Sequence, residues 1–347
     1  SLAASAFNHH YEYVDLYNHF VDSNGRLSVE YTNDGLHLLA TAYLKWKALI
    51  INKVYDLPSL IPMPNKVDWI KGSFSLSDCS GIIIEDDKLF KDATYLQTQF
   101  ANKGFKFSVY KKPKEGKKYV YLQLGHTDGL GKYKLSVSAD RIILDGADLD
   151  GLFYGIQTIM QLVTGQNIKA CNIEDQPAFN WRGYMVDVGR NYQSMDLILK
   201  QIDIMSQYKL NVFHFHLTED IAWRLYSHLY PSLTNSKNML RNQGMFYTIQ
   251  DLKKINNYCK ERHIKLLIEI DMPGHSAAFK RALGVDMQSS EGVAICKNIL
   301  AEICDSIDFD YIHIGGDEVE YKHKNFLNEM IDFLELKNKK VIVWSPG

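Results

Sequence analysis

The sequence predicts an α/β protein built on parallel strands, and three observations carry that prediction. From Phe179 onward, short apolar runs alternate with amphipathic helices, the texture of repeated βα units. Each run ends in polar or aromatic residues, which is where a (β/α)8 (TIM) barrel or an open parallel sheet builds its site. Before Phe179 the pattern changes to alternating strands with two helical stretches, a small α+β unit. A barrel takes eight repeats and ~250 residues. About five strands are found here, so the sequence reads as the first part of a TIM barrel within a segment of a longer protein.

Bulk properties narrow the partners. With 347 residues and 46% hydrophobic content, the chain can bury more than one core. Its 39 basic and 41 acidic residues give a formal charge of -2, without the basic footprint of nucleic-acid binding. No apolar run reaches the ~20 residues of a membrane span. Five cysteines, Cys79, Cys171, Cys259, Cys296 and Cys304, form no metal or disulfide spacing and read as free buried thiols.

The chain divides into three expected domains, 1–57, 58–178 and 179–347. In the first, Asn24-Gly25 marks a turn, and a helix follows with Leu39, Tyr43, Trp46 and Ile50 on its expected buried face. Asp34 and His37 have the spacing of a carboxylate orienting an imidazole, two members of a hydrolytic triad. The second domain is entered through Pro58, Pro62 and Pro64. Its strands are read at GIIIED, FKFSVY, YVYLQL, YKLSVS and RIILDG, with helices near Tyr95–Asn102 and Leu152–Val163. Asp145, Asp148 and Asp150 lack calcium-loop spacing and read as turn residues.

In the third domain the expected strands are WRGYMVDVGR, NVFHFHLTED, IKLLIEIDMPGH, YIHIGGDE and KVIVWSP. Ser194 is placed to cap the first following helix, whose face is Ile198, Ile202 and Met205. Thr248 and Asp251 have the spacing of a capping box before Leu252, Ile255 and Cys259. Arg190, Asp220, His275, Asp317, Glu318 and Trp344 should then face one another across the rim, with Asp271 nearby. Carboxylates, an arginine and a tryptophan suit a sugar, whose hydroxyls take charged partners and whose faces stack on aromatic rings. Gly315-Gly316 is expected to leave room for that sugar. Asp317 and Glu318 are adjacent, so their side chains diverge. They fit poorly the two-carboxylate mechanism across a bond but suit assistance by the substrate's own 2-acetamido group.

WRGYMVDVGR, KLNVFHFHLTED, EIDMPGH and HIGGDE, in that order, resemble glycoside hydrolase family 20, the β-N-acetylhexosaminidases. LIPMPNKV, GLFYGIQTIMQL and the step Asp175-Pro177-Phe179 resemble that family's small N-terminal domain, so the likeness covers residues 58–347. The resemblance implies that Glu318 is the general acid/base and that Asp317 orients the acetamido group. Arg190 would bind sugar hydroxyls, and Trp344 would wall the acetamido pocket. Asp220, Asp271 and His275 would form the supporting network. It further implies a terminal N-acetylhexosamine as substrate and no metal or cofactor. Ile221-Ala222 stand where the family commonly has Gln-Gly. Strands after the fifth would supply a tyrosine, an acid and a tryptophan to the pocket. NDGLHLLATAYLKW resembles the last block of SGNH esterases, whose serine would lie upstream. The alternatives are thus an O-acetylesterase within a longer bifunctional protein, or a glycan-binding relative without turnover.

Overall fold

The computed structural model describes residues 16–35, 37–51 and 58–344. The chain divides into two compact units, Ser1–Ser59 with Leu162–Thr164, and Leu60–Gln161 with Gly165–Gly347.

In the first unit, α1 (Tyr17–Phe20) leads into a turn where Asp22 Oδ1 accepts the N–H groups of Asn24 and Arg26 and Gly25 takes φ 73°. The turn read at Asn24-Gly25 is therefore present. Helix α2 (Ala40–Ile51) follows. Its inward face differs from the expected one: Ala42 is buried with Phe20 and Tyr31, and Trp46 and Leu49 pack against them, whereas Tyr43 is 56% exposed. This helix is apolar nearly all round, so 3.6-residue spacing fits more than one face. The side chain of Ile50 lies outside the described residues.

The second unit begins with an eight-stranded mixed sheet. Its strands are β1 (Lys66–Ser75), β2 (Cys79–Ile84), β3 (Val109–Tyr110), β4 (Lys118–Leu124), β5 (Tyr133–Val137), β6 (Arg141–Gly146), β7 (Val163–Thr164) and β8 (Asn167–Asp175). The main path runs β1-β8-β5-β6-β4-β2-β3; the remaining strand, β7, lies off that path and is grouped with the first unit. In β5 Tyr133, Leu135 and Val137 face inward while Lys134 and Ser136 face water, the pattern of a sheet with one wet side. Helices α3 (Phe90–Asn102) and α4 (Leu149–Leu162) carry buried Ala93, Leu96 and Phe100, and Phe153, Ile156 and Ile159. The antiparallel pair β1–β8 was not among the strands read from sequence. β1 is largely exposed and its register shifts between Trp69 and Ser73, which erases strict alternation.

A five-stranded parallel sheet follows, ordered β13-β12-β11-β10-β9, from β9 (Gly183–Asp187), β10 (Val212–His216), β11 (Lys265–Glu269), β12 (Tyr311–His313) and β13 (Lys340–Ile342). Consecutive strands are neighbours, joined by α5 (Met195–Gln207), α6 (Ile249–Lys260), α7 (Ala277–Leu283), α8 (Ser290–Ser306) and α9 (Phe326–Leu336). This is the winding of five successive staves of a (β/α)8 barrel. Ser194 Oγ accepts Leu197 N–H at the start of α5, and Thr248 with Asp251 forms the full capping box of α6. Ile198, Ile202, Met205, Leu252, Ile255 and Cys259 are buried as expected. Cys171 and Cys296 are buried as well, whereas Cys79 and Cys304 are only partly buried, a correction to the reading of all five as buried; all five are free.

The small sheet domain and the barrel strands are tied by buried charge. His263, in the turn before β11, has Nε2 2.9 Å from Asp92 Oδ1 and Nδ1 2.7 Å from Asp150 Oδ1, and stacks on Phe153 at 4.7 Å. Asp148 is the turn residue expected, accepting Gly131 and Gly151 N–H. Asp150 is not: it reaches a histidine 113 positions away, a partner that local spacing does not reveal. Burial opposes the His263 charge, but Asp150 and Asp92 outweigh it and raise its pKa to about 9. A raised folded pKa stabilises fully below the unfolded value of 6.5 and is lost as pH rises through about 9. His263→Leu should therefore cost about 3 kcal/mol near pH 6. Guanidinium midpoints of the two proteins should converge above pH about 9.

Candidate active site

Strand register builds the floor of the site. Asp187, His216, Glu269 and His313 are paired across β9, β10, β11 and β12 on one level, and paired residues of neighbouring strands point to the same face. His214 precedes His216 by two and shares that face. The result is a carboxylate among imidazoles. Glu269, 0% exposed, has His214 Nε2 and His216 Nδ1 2.7 Å from Oε2, and His313 Nδ1 3.1 Å from Oε1. Trp344 donates its indole N–H to Glu269 Oε1 at 2.9 Å, with its ring 5.5 Å from His214 and 4.5 Å from His313.

Burial works against the Glu269 charge, but the three histidines prevail and hold its pKa far below the usual carboxylate range. His216 is likewise opposed by burial and raised by Glu269, Asp187 and Asp271. Ligand-type atoms of His214, Glu269 and His313 lie within 4.8 Å of one another. His214 Nε2 and Glu269 Oε2 are already hydrogen-bonded at 2.7 Å and His313 Nδ1 accepts Gly315 N–H at 3.0 Å, so a metal there would have to displace those contacts.

Above the floor stands a second tier. Asp271, 1% exposed, donates its backbone N–H to Thr218 Oγ1 at 2.8 Å. Its Oδ1 is buried and has no hydrogen-bond partner among the described residues, and the same is true of Asp317 Oδ1. Gly315, at φ 67°, makes this possible, because a Cβ there would collide with Asp271 Oδ1. The space beside Gly316 is occupied by Leu327 and the Tyr321 hydroxyl. The two glycines thus make room for protein groups, a correction to the expectation that they clear space for sugar. Sequence shows only that bulk is missing, not what fills the gap.

The rim is a chain of alternating charge. Arg190 donates to Asp187 Oδ2 at 2.7 Å and also contacts Glu219 Oε1, a carboxylate 2% exposed. His275 Nδ1 lies 3.0 Å from the same Glu219 oxygen, and its Nε2 lies 3.3 Å from Glu318 Oε2. Glu318 is 73% exposed at its side chain and sits at φ 52°, a left-handed conformation uncommon outside glycine. Arg224, fully buried, donates to the carbonyls of Val188, Arg241, Asn242 and Met245. It pins the loop after β10 to the end of β9, which carries Arg190.

Of the residues expected to meet at the rim, Arg190, His275 and Glu318 do so, joined through Glu219. Asp317 belongs to the tier with Asp271 and His275, whose ligand-type atoms lie within 4.8 Å. Trp344 stands lower, on Glu269. Asp220 also reaches the rim: its ligand-type oxygen lies within 4.8 Å of those of Glu219 and His275, while its Oδ1 accepts Ala277 N–H at 2.8 Å at the start of α7 and its carbonyl accepts from Arg281. Glu219, which was not among the expected site residues, supplies the buried link between Arg190 and His275, with Asp220 beside it. No local signal announced Glu219, since the inward alternation of His214, His216 and Thr218 points to Asp220 instead and β10 ends at His216, before either acid. In the first unit, His37 Nδ1 lies 2.6 Å from Asp34 Oδ2, with the two side chains 78% and 47% exposed.

A cavity of about 550 Å³ opens at the other ends of the strands, lined by Arg182, His263, Lys265 and Tyr311 among others. The acids and tryptophan lie instead at the C-terminal ends, where barrels carry their sites. Fold and rim together define an α/β-barrel protein with an acid-rich site.

Comparison with known proteins agrees. The profile "Glycosyl hydrolase family 20, catalytic domain" matches residues 179–289, and "Glycosyl hydrolase family 20, domain 2" matches residues 57–176. The chain belongs to glycosyl hydrolase family 20. It is 29% identical over 301 residues to a β-hexosaminidase of Porphyromonas gingivalis, covering 75% of this chain and 39% of that protein. The crystal structure of a β-N-acetylhexosaminidase from Bacteroides fragilis superposes with TM-score 0.74 at 28% identity, covering 82% of this chain and 65% of that one. An exo-β-N-acetylglucosaminidase from Vibrio harveyi, solved in complex with N-acetylglucosamine, gives TM-score 0.76 at 24% identity, covering 84% and 56%. The chain spans less than half the length of the curated relatives it matches. These comparisons give the esterase alternative no support.

Proposed function

We propose that the protein is an exo-acting retaining β-N-acetylhexosaminidase that releases terminal N-acetylhexosamine from glycans with the substrate's acetamido group as nucleophile. The observation that carries this reading is the unlike setting of two adjacent acids. Glu318 is exposed at the rim against His275, while Asp317 turns a buried oxygen toward the tier below.

In this mechanism Glu318 gives its proton to the glycosidic oxygen as the C–O bond breaks and the leaving alcohol departs. The acetamido oxygen attacks the anomeric carbon from the opposite face and forms a cationic oxazolinium. Asp317 accepts the acetamido N–H and offsets the positive charge. Glu318, now a carboxylate, takes a proton from water as that water opens the ring, and two inversions give retention. Arg190 would hold sugar hydroxyls and Trp344 would wall the acetamido group. Glu219 orients both Arg190 and His275.

The test uses the full-length protein with a chromogenic N-acetyl-β-glucosaminide and a thiazoline mimic of the oxazolinium. Hydrolysis with competitive inhibition by the mimic is expected. Binding of the mimic without hydrolysis would make the protein a glycan-binding relative instead. Within the same assay, Glu219→Gln should lower kcat/KM about 10²-fold by loosening His275 and Arg190. Asp220→Ala removes a helix-terminal acceptor and should cost about 1 kcal/mol of stability, with a smaller change in kcat/KM than Glu219→Gln.

A further inference from the structure

We propose, on the reading of the site given above, that Asp271 is a positioning residue that keeps its proton beside an ionised Asp317 at mildly acidic pH. The buried pair then carries a single negative charge, and that charge sits on the carboxylate facing the pocket.

Three observations point this way. Asp271 Oδ1 and Asp317 Oδ1 are both buried and lack a partner among the described residues, and an unpaired buried charge is costly. The two carboxyls also stand in one cluster with His275, their ligand-type atoms within 4.8 Å, a spacing at which like charges resist joint ionisation. Finally, Asp271 Oδ1 occupies the space where a Cβ of Gly315 would stand, which holds it close under the loop that carries Asp317.

The groups facing Asp271 decide which carboxyl keeps the proton. Burial comes first, and Glu269 on its own strand and Asp317 from the loop after β12 add to it. His216 from β10 and His275 oppose it, and the balance raises Asp271 to about 6. Tyr321 also faces the pair and is itself raised, by burial first and then by Asp271 and Asp317. Both opposing histidines also face other carboxylates, His216 Nδ1 at 2.7 Å from Glu269 Oε2 and His275 between Glu219 and Glu318. Asp271 is 1% exposed, whereas Asp317 is only half-buried. The deeper acid is therefore the neutral one. Its proton takes no part in leaving-group departure, because the proton that reaches the leaving group comes from Glu318.

Infrared spectroscopy of the full-length protein tests this without turnover, so its outcome is separate from that of the hydrolysis assay. The spectrum of the wild type minus that of Asp271→Asn isolates this group from other buried acids such as Asp145. That difference should contain a carboxylic-acid carbonyl band that disappears as pH rises through about 6. In Asp317→Asn, which removes the neighbouring charge, the band should persist but titrate at lower pH. A wild-type band unchanged in Asp271→Asn, no such band at all, or an unshifted titration in Asp317→Asn would overturn the proposal.

Discussion

Replacing Glu318 with glutamine should lower kcat/KM by about 10²–10⁴-fold on N-acetyl-β-hexosaminides with alkoxide leaving groups, the range a positioned general acid contributes. The loss should be smaller on nitrophenyl glycosides, whose leaving oxygen needs less protonation. Two features place this burden on Glu318. It is the exposed member of the acid pair, and it is the one His275 contacts. Glutamine keeps the shape and removes only the proton. Thermal unfolding should shift little, since the side chain lies in water and surface changes usually stay within about 0.5 kcal/mol. The φ of 52° adds a second arm. Glycine at this position should relieve backbone strain of about 1 kcal/mol and stabilise the fold, while removing the acid altogether.

Replacing Glu269 with alanine should have the largest effect on stability, about 3–5 kcal/mol, as expected when one partner of a buried charged cluster is deleted. His214 and the Trp344 indole would lose their hydrogen-bond partner, and His216 and His313 the carboxylate beside them. The pH dependence has a definite sign. Glu269 is depressed in the folded state, so its contribution is present above the unfolded value of 4.5 and is lost as pH falls. His216 is raised, so its contribution is present below 6.5 and is lost as pH rises. The gap in guanidinium midpoint between wild type and Glu269→Ala should therefore be widest between pH 4.5 and 6.5 and shrink on either side. A gap independent of pH would mean that packing, not charge, holds the floor together.

Much of this architecture was legible because buried parallel strands are short apolar runs and their helices carry local caps. Val212–His216 and Lys265–Glu269 are nearly uninterrupted core, and Ser194 and Thr248 announce their helices within four residues. What was hidden depends on direction or distance. The spacing of Glu219 and Asp220 says that two acids end a strand but not which one turns inward. Gly315 signals missing bulk, while its tenant, Asp271, comes from another strand. Asp150 looks like its turn neighbour Asp148 until His263 is brought against it by the docking of the small domain. The helix Ala40–Ile51 has too little polar surface to declare a face. Each of these required the fold before its role could be read.

The central claim is that the substrate's acetamido group supplies the nucleophile while Glu318 and Asp317 do unlike work. The most direct measurement compares turnover of an aryl N-acetyl-β-glucosaminide with that of the matching aryl β-glucoside by the full-length protein. The account predicts that the glucoside, lacking the acetamido group, is slower by about 10³-fold or more, the scale of a lost intramolecular nucleophile. Comparable rates on the two substrates would contradict it, because the nucleophile would then belong to the protein.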